Sequence, residues 1–250
     1  MKAVFDIETS MGLFWTYAHN TYEAQLSREH ESIKLMVVCV KPLGKKVQKY
    51  ALIDYPDYKS FLEDVREKVF DRYEVLIAHN GKKFDLRQCN TFFAEVGLSK
   101  CKKFPKNLID TLTESRREFN LPSYSLKFLL RHFKLGIEKI QTGGEDLWFE
   151  CMTFNPDGTP AFPEAWKKMI RYCSRDVVAT EIYYNFLEKG GWVKVDPERI
   201  WYMDDMECPK CNRTQWQRRG TKPLEGLGRF QYYACSYCNK QLPGEMVEEW

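Results

Sequence analysis

Lys2-Ala3-Val4-Phe5-Asp6-Ile7-Glu8-Thr9 is the stretch from which the rest of the chain is read. It opens as an apolar strand and ends with two acids spaced one residue apart. Period-two alternation places Val4, Asp6 and Glu8 on one face and Phe5 and Ile7 on the other, so two carboxylates project together from a sheet edge. Like charges this close repel, and a bound divalent cation is the usual resolution. A solvated strand end has the same pattern, so the motif needs partners elsewhere in the chain.

Working outward, residues 35–40 and 47–53 are short apolar runs that read, with the first, as three consecutive antiparallel strands. Residues 11–15 between them read as an apolar loop. Pro56 opens a helix whose apolar positions Phe61, Leu62, Val65 and Val69 repeat at helical spacing as far as Asp71, and residues 75–78 resume as a strand. Residues 85–96 read as a helix ended by Gly97, and 107–109 as a short strand. Ser123 is placed to cap a helix with the stripe Leu126, Leu129, Leu130 and Phe133, closed by Gly136. Residues 142–163, rich in Gly and Pro, read as a loop. A long helix then spans 163–188 and stops at Gly190-Gly191. Strands first, then alternating helices and strands, predict an α/β domain with a mixed sheet over residues 1–195 and a separate small domain over 196–250.

Two further segments carry acids in suggestive settings. In Ala78-His79-Asn80-Gly81-Lys82-Lys83-Phe84-Asp85 an apolar strand breaks at Asn-Gly, and Asp85 follows at a helix start, where complementing the helix dipole is an equally good reason for an acid. In Tyr172-Cys173-Ser174-Arg175-Asp176 the i, i+4 spacing puts the phenol and the carboxylate on one helix face. An exposed Asp beside a core Tyr would have the same spacing.

Taken together and in this order, the three segments resemble the DEDD superfamily of 3′–5′ exonucleases, which includes DnaQ-like proofreading subunits; the resemblance spans residues 1–190. Asp-x-Glu falls on Asp6 and Glu8, Asn-x-x-x-Phe/Tyr-Asp on Asn80, Phe84 and Asp85, and Tyr-x-x-x-Asp, the DEDDy version, on Tyr172 and Asp176. The resemblance implies a ribonuclease H-like mixed sheet flanked by helices and a site for two Mg²⁺ or Mn²⁺ ions. Asp6 would bridge both ions, Glu8 and Asp176 would hold the ion that activates water, Asp85 would support the second, and Tyr172 would orient the nucleophile. Carboxylate oxygens are the donors such hard cations prefer. The unperturbed phenol pKa is about 10, so hydrogen bonding to the attacking water is expected from Tyr172, not proton abstraction. Thr9 and Asn80 would face the substrate. Leu13, Phe14 and Trp15 are placed to stack on or wedge beside a terminal base.

Cys208-x-x-Cys211 and Cys235-x-x-Cys238, 23 residues apart, supply four thiolates suited to one tetrahedral structural Zn²⁺. The pattern resembles a zinc ribbon. Mixed basic and aromatic residues between the knuckles suit a nucleic-acid strand; acids at both ends leave docking on a protein open. The other five cysteines (Cys39, Cys89, Cys101, Cys151 and Cys173) read as small core residues.

With 44% hydrophobic and 29% charged residues, the composition is that of a soluble globular chain, and no run approaches a membrane span. A cytoplasmic location without membrane association is expected. The net charge of +3 is slight, but residues 98–140 carry ten Lys or Arg against four acids, a local +6 suited to a polyanion or to ordinary solvated helix faces. The expected activity is removal of nucleotides from 3′ ends, with single-stranded DNA as first substrate and RNA as alternative. A non-catalytic nucleic-acid-binding or partner-docking protein on a nuclease scaffold is the reading from another class. A chain this short has no room for a polymerase domain, so proofreading would require a separate polymerase or replication protein.

Overall fold

The structure, a computed structural model, describes residues 1–16, 26–100, 104, 107–137, 144, 146–193, 208, 210, 211, 216–224 and 228–248; for residues 13–16, 26–31, 218, 223, 224, 228–231 and 242–248 it describes the backbone alone. The chain divides into two compact units, 1–194 and 195–250.

The first unit is a mixed sheet flanked by helices, as the α/β reading predicts. Strand β1 (Lys2–Thr9) lies at its centre. It pairs antiparallel with β4 (Leu35–Pro42), which pairs antiparallel with β5 (Gln48–Ala51). On its other side β1 pairs parallel with β6 (Val75–Ala78), and β6 with β7 (Leu108–Asp110), giving the order β5-β4-β1-β6-β7. The first three sheet strands are not consecutive. A separate two-stranded hairpin of β2 (Leu13–Thr16) and β3 (Leu26–Glu31) stands between them, with Phe14 opposite Glu29 and Trp15 opposite Arg28. Residues 13–15, expected in a loop, are therefore strand. Their β-favouring composition is consistent with that, but the pairing partner lies beyond a gap that no local pattern spans.

Period-two alternation along β1 sorts its side chains as expected. Ala3, Phe5 and Ile7 enter a core with Phe61, Leu62 and Val65 of α1 (Tyr58–Val65), Val69 and Phe70 of the π-helical turn Arg66–Asp71, and Leu86, Phe92 and Phe93 of α2 (Asp85–Glu95). Edge-to-face rings of Phe5, Phe70 and Phe93 fill its centre. The opposite face is covered by α6 (Pro163–Lys189), which packs on β1, β4 and β6. A half-buried ion pair between Lys41 of β4 and Glu181 of α6, 2.7 Å, joins the layers; the Gly44 N–H also donates to Glu181.

Three local readings need correction. Helix α3 (Thr111–Glu118) was not expected, because Thr111, Glu114 and Ser115 form its buried side and leave no apolar stripe. The cap of α4 (Leu126–His132) is Ser125, whose side chain accepts from the Phe128 N–H, and not Ser123. The expected loop 142–163 contains α5 (Asp146–Met152); with Leu147 and Cys151 as its buried residues, it is too short to show a period.

Cys39, Cys89, Cys151 and Cys173 are buried, and Cys101 lies outside the described residues. Of the basic band, Arg117 is taken up in ion pairs with Glu114 and Glu118, and Arg116 lies over the Tyr124 ring; Lys102, Lys103, Lys106 and Lys139 are outside the described residues. Among the described residues no helix is long and apolar enough to cross a membrane.

The second unit is an antiparallel sheet of β8 (Trp216–Leu224), β9 (Gly228–Cys235) and β10 (Gln241–Glu248), with β9 in the middle.

Candidate active site

The acids of β1 sit where the strand's register breaks. Asp6 is opposite Cys39 of β4, and the pairing register shifts between Glu8 and Thr9, the kind of irregularity that re-aims side chains beside functional sites. Carboxylate oxygens of Asp6 and Glu8 and the Cys173 sulfur of α6 all lie within 4.8 Å of one another. The Cys173 thiol also donates to the Asp6 carbonyl at 3.5 Å, which fastens helix to strand at this point.

Tyr172 and Asp176 lie on the same stretch of α6, and the phenol donates a hydrogen bond to the Asp176 carboxylate. Burial, followed by the negative charges of Asp176, Glu8 and Asp6, pushes the phenol well above its ordinary range. Tyr172 therefore stays protonated at neutral pH and acts as a donor in a field of carboxylates. Asp176 is 5% exposed and Glu8 9%. Asp85 comes from α2 and reaches β1, where its carboxylate accepts the Ile7 N–H. Burial pushes the Asp85 carboxyl up to about 7, and the neighbouring Asp110 charge adds to the shift, while the backbone N–H donors oppose it. Tyr172 and the acids of the first and third segments thus gather around the end of β1, while Asp85 of the second segment is joined to that strand through the Ile7 N–H and has Asp110 as its neighbouring charge.

The turn that delivers Asp85 has its own construction. Asn80 adopts a left-handed backbone, φ +70°, and its carbonyl accepts the N–H groups of Lys83 and Phe84. A side chain on Gly81 would stand 2.4 Å from the Ala78 Cβ, so only glycine fits the close return of the chain. Asp110, 1% exposed, caps α3 through the Leu112 N–H and also accepts from the N–H groups of Asn80 at 2.9 Å and Lys82 at 3.1 Å. His79 extends the brace, bonded to the Thr111 hydroxyl and to the Tyr124 carbonyl, each at 2.9 Å. The sequence reading missed Asp110, His79 and Thr111. Asp110-Thr111 after an apolar strand is a helix-cap signature, and that signal was available.

Of the residues expected to face substrate, Thr9 stands at the β1 register shift and Asn80 contributes its backbone to the turn. Leu13, Phe14 and Trp15 lie on β2, with side chains outside what is described. Helix α5 borders the site unforeseen: the Trp148 ring meets the Tyr172 ring edge-on, and the Met152 sulfur accepts the Met11 N–H.

In the second unit Cys208, Cys211, Cys235 and Cys238 bring their sulfurs within 4.8 Å of one another. The Cys208–Cys238 and Cys211–Cys235 separations are both 3.5 Å, far beyond a disulfide's ~2.05 Å and close to the ~3.8 Å edge of a tetrahedron with ~2.3 Å metal–sulfur bonds. Backbone N–H groups of Cys238 and Tyr237 aim at Cys235 and pull its thiol down to about 6, so the turn favours a thiolate before any metal arrives.

Residues 4–188 match the family model described as RNase_H superfamily. The chain belongs to the RNase_H superfamily. Among solved structures, this RNase H-like chain is similar to the family B DNA polymerase from the hyperthermophilic archaeon Pyrobaculum calidifontis, with a TM-score of 0.46 and 15% identity over 75% of this chain and 24% of that one. The chain therefore spans about a quarter of that polymerase's length. No curated protein sequence matches it.

The paired carboxylates of Asp6 and Glu8 in this RNase H-like unit offer oxygen donors that suit hard divalent cations, with the Cys173 sulfur as their neighbour. Without metal, the folded protein holds the Asp85 proton between the ordinary carboxylate value of 3.8 and about 7, where the unfolded chain has released it. Folding then takes up a proton, so the Asp85 contribution to stability is largest below that window and falls as pH rises through it. Metal-free protein is expected to melt lower at pH 8 than at pH 5.5 by a margin that Asp85→Asn reduces. Melting curves of both proteins in chelator check this; identical pH dependence would refute it.

Proposed function

We propose that the RNase H-like unit is a metal-dependent 3′–5′ exonuclease of the DEDDy type, acting on single-stranded DNA ends. The observation that carries the reading is the convergence of Asp6, Glu8 and Asp176 around a protonated Tyr172 at the end of the central strand, where its register shifts. Asp6, Glu8, Asp85 and Asp176 would hold two Mg²⁺ or Mn²⁺ ions. Such a pair, typically about 3.5–4 Å apart, supplies a nucleophilic water and stabilises both oxygens of an in-line displacement at phosphorus.

The protein's own groups have separable parts. Tyr172 donates to Asp176 at rest and turns its hydroxyl to the attacking water during reaction. Asp110 and His79 hold the turn that fixes Asp85. Thr9, Leu13, Phe14, Trp15 and Asn80 surround the terminal nucleotide. The cysteine unit is read as a zinc ribbon with a structural ion, binding a nucleic-acid strand or docking a replication partner.

The deciding experiment is digestion of end-labelled single- and double-stranded DNA and RNA, with and without EDTA. Metal-dependent shortening from the 3′ end of single-stranded DNA is expected. Preference for RNA would move the substrate and keep the chemistry, whereas binding without cleavage would favour a docking protein on a nuclease scaffold. In the same assay Tyr172→Phe is expected to lose between about 10- and 100-fold in kcat, since the phenol orients water without taking its proton. An undiminished rate would remove Tyr172 from the reaction.

A further inference from the structure

Helix α5 is packed against the helix that bears Tyr172 and Asp176, and it is tied to the site at three places. The Trp148 and Tyr172 rings meet edge to face, centroids 6.0 Å apart and planes at 76°. Cys151 lies close enough to Glu8 for that charge to add to burial and to the Glu150 charge in pushing its thiol up to about 12. At the end of the helix the Met152 sulfur accepts, at 3.3 Å, the N–H of Met11 in the segment leading out of β1.

Leu147 and Cys151, 2% and 0% exposed, already anchor α5 in the protein interior. Trp148 is only partly buried and spends its ring on Tyr172. A tyrosine on a helix turns about two side-chain bonds, and its hydroxyl lies at the far end of that lever. The hydrogen bond to Asp176 fixes the hydroxyl, and an edge-to-face neighbour fixes the plane of the ring.

We propose that Trp148 is a positioning residue for Tyr172, the indole acting as a wall that keeps the phenol in the orientation from which it directs the attacking water. The inference rests on the exonuclease reading above. Trp148 touches no reacting atom in this role, so its loss acts through Tyr172 alone.

The test is a double-mutant cycle on end-labelled single-stranded DNA with Mn²⁺, using Trp148→Ala, Tyr172→Phe, the pair together, and Trp148→Phe. Trp148→Ala is expected to lower kcat between about 10- and 100-fold, as small misplacements of a reacting group do, with KM within about twofold. Trp148→Phe should recover most of the rate, because a smaller ring still offers an edge. In the Tyr172→Phe background Trp148→Ala should cost nothing further. Equal losses in both backgrounds, or a change confined to KM, would overturn the positioning role while leaving the nuclease intact. Absence of metal-dependent cleavage by the unaltered chain would overturn both. Should Trp148→Ala fail to fold, Trp148→Leu takes its place in the cycle and Trp148→Phe remains the rescue.

Discussion

Replacing Asp6 or Asp176 by alanine is expected to abolish cleavage, with a loss of at least about 10³-fold, because several kcal/mol of charge stabilisation goes with the metal and each ~1.4 kcal/mol is tenfold in rate. Asp6 is placed by the sheet and by α6 together. Its strand is central in the sheet, its carbonyl is held by the Cys173 thiol, and its carboxylate shares a 4.8 Å cluster with Glu8. The substitution should not harm folding. Asp6 and Glu8 repel when no cation is present, so Asp6→Ala or the near-isosteric Asp6→Asn is expected to raise the melting temperature of metal-free protein while activity disappears. Stability and activity moving in opposite directions would mark a functional acid. Unchanged cleavage by purified Asp6→Ala protein would end the two-metal assignment.

The second large effect concerns the cysteine unit. Among its described residues the buried side chains are Cys208, Ala234 and Cys235, so two of the three belong to the thiol cluster. A structural zinc bound by four thiolates contributes roughly 10–16 kcal/mol at neutral pH, a large share of the folding free energy of a unit this small. One zinc per chain is expected by elemental analysis, and none in Cys208→Ser/Cys211→Ser. In that variant residues 195–250 should become open to protease while 1–194 stays protected. Retention of a protected, zinc-free second unit would show that its strands need no metal.

How much of this was legible before folding differs from residue to residue. Asp6 and Glu8 could be paired, and separated from Phe5 and Ile7, because alternation is a property of the extended backbone itself. Tyr172 and Asp176 could be placed on one helix face for the same kind of reason, and the four cysteines by their spacing in two tight turns. Asp85 could be marked but not located. Its distance from β1 depends on the turn at Asn80 and Gly81, and that turn is held by Asp110, 30 residues beyond Asn80. Helix α3 escaped because it buries polar residues, and the β2–β3 hairpin because each strand's evidence lies in the other.

The sequence by itself determined the strand and helix periods, the face on which each acid stands, the α/β class and the cysteine spacing, since all of these follow from bonds between near neighbours. Only the tertiary structure decided that Asp85 reaches the Ile7 N–H, that Asp110 and His79 brace its turn, and that Trp148 lies against Tyr172. Those contacts join residues tens of positions apart, and they arise from the closing of the layers over the sheet, a distance that no local repeat in a chain encodes.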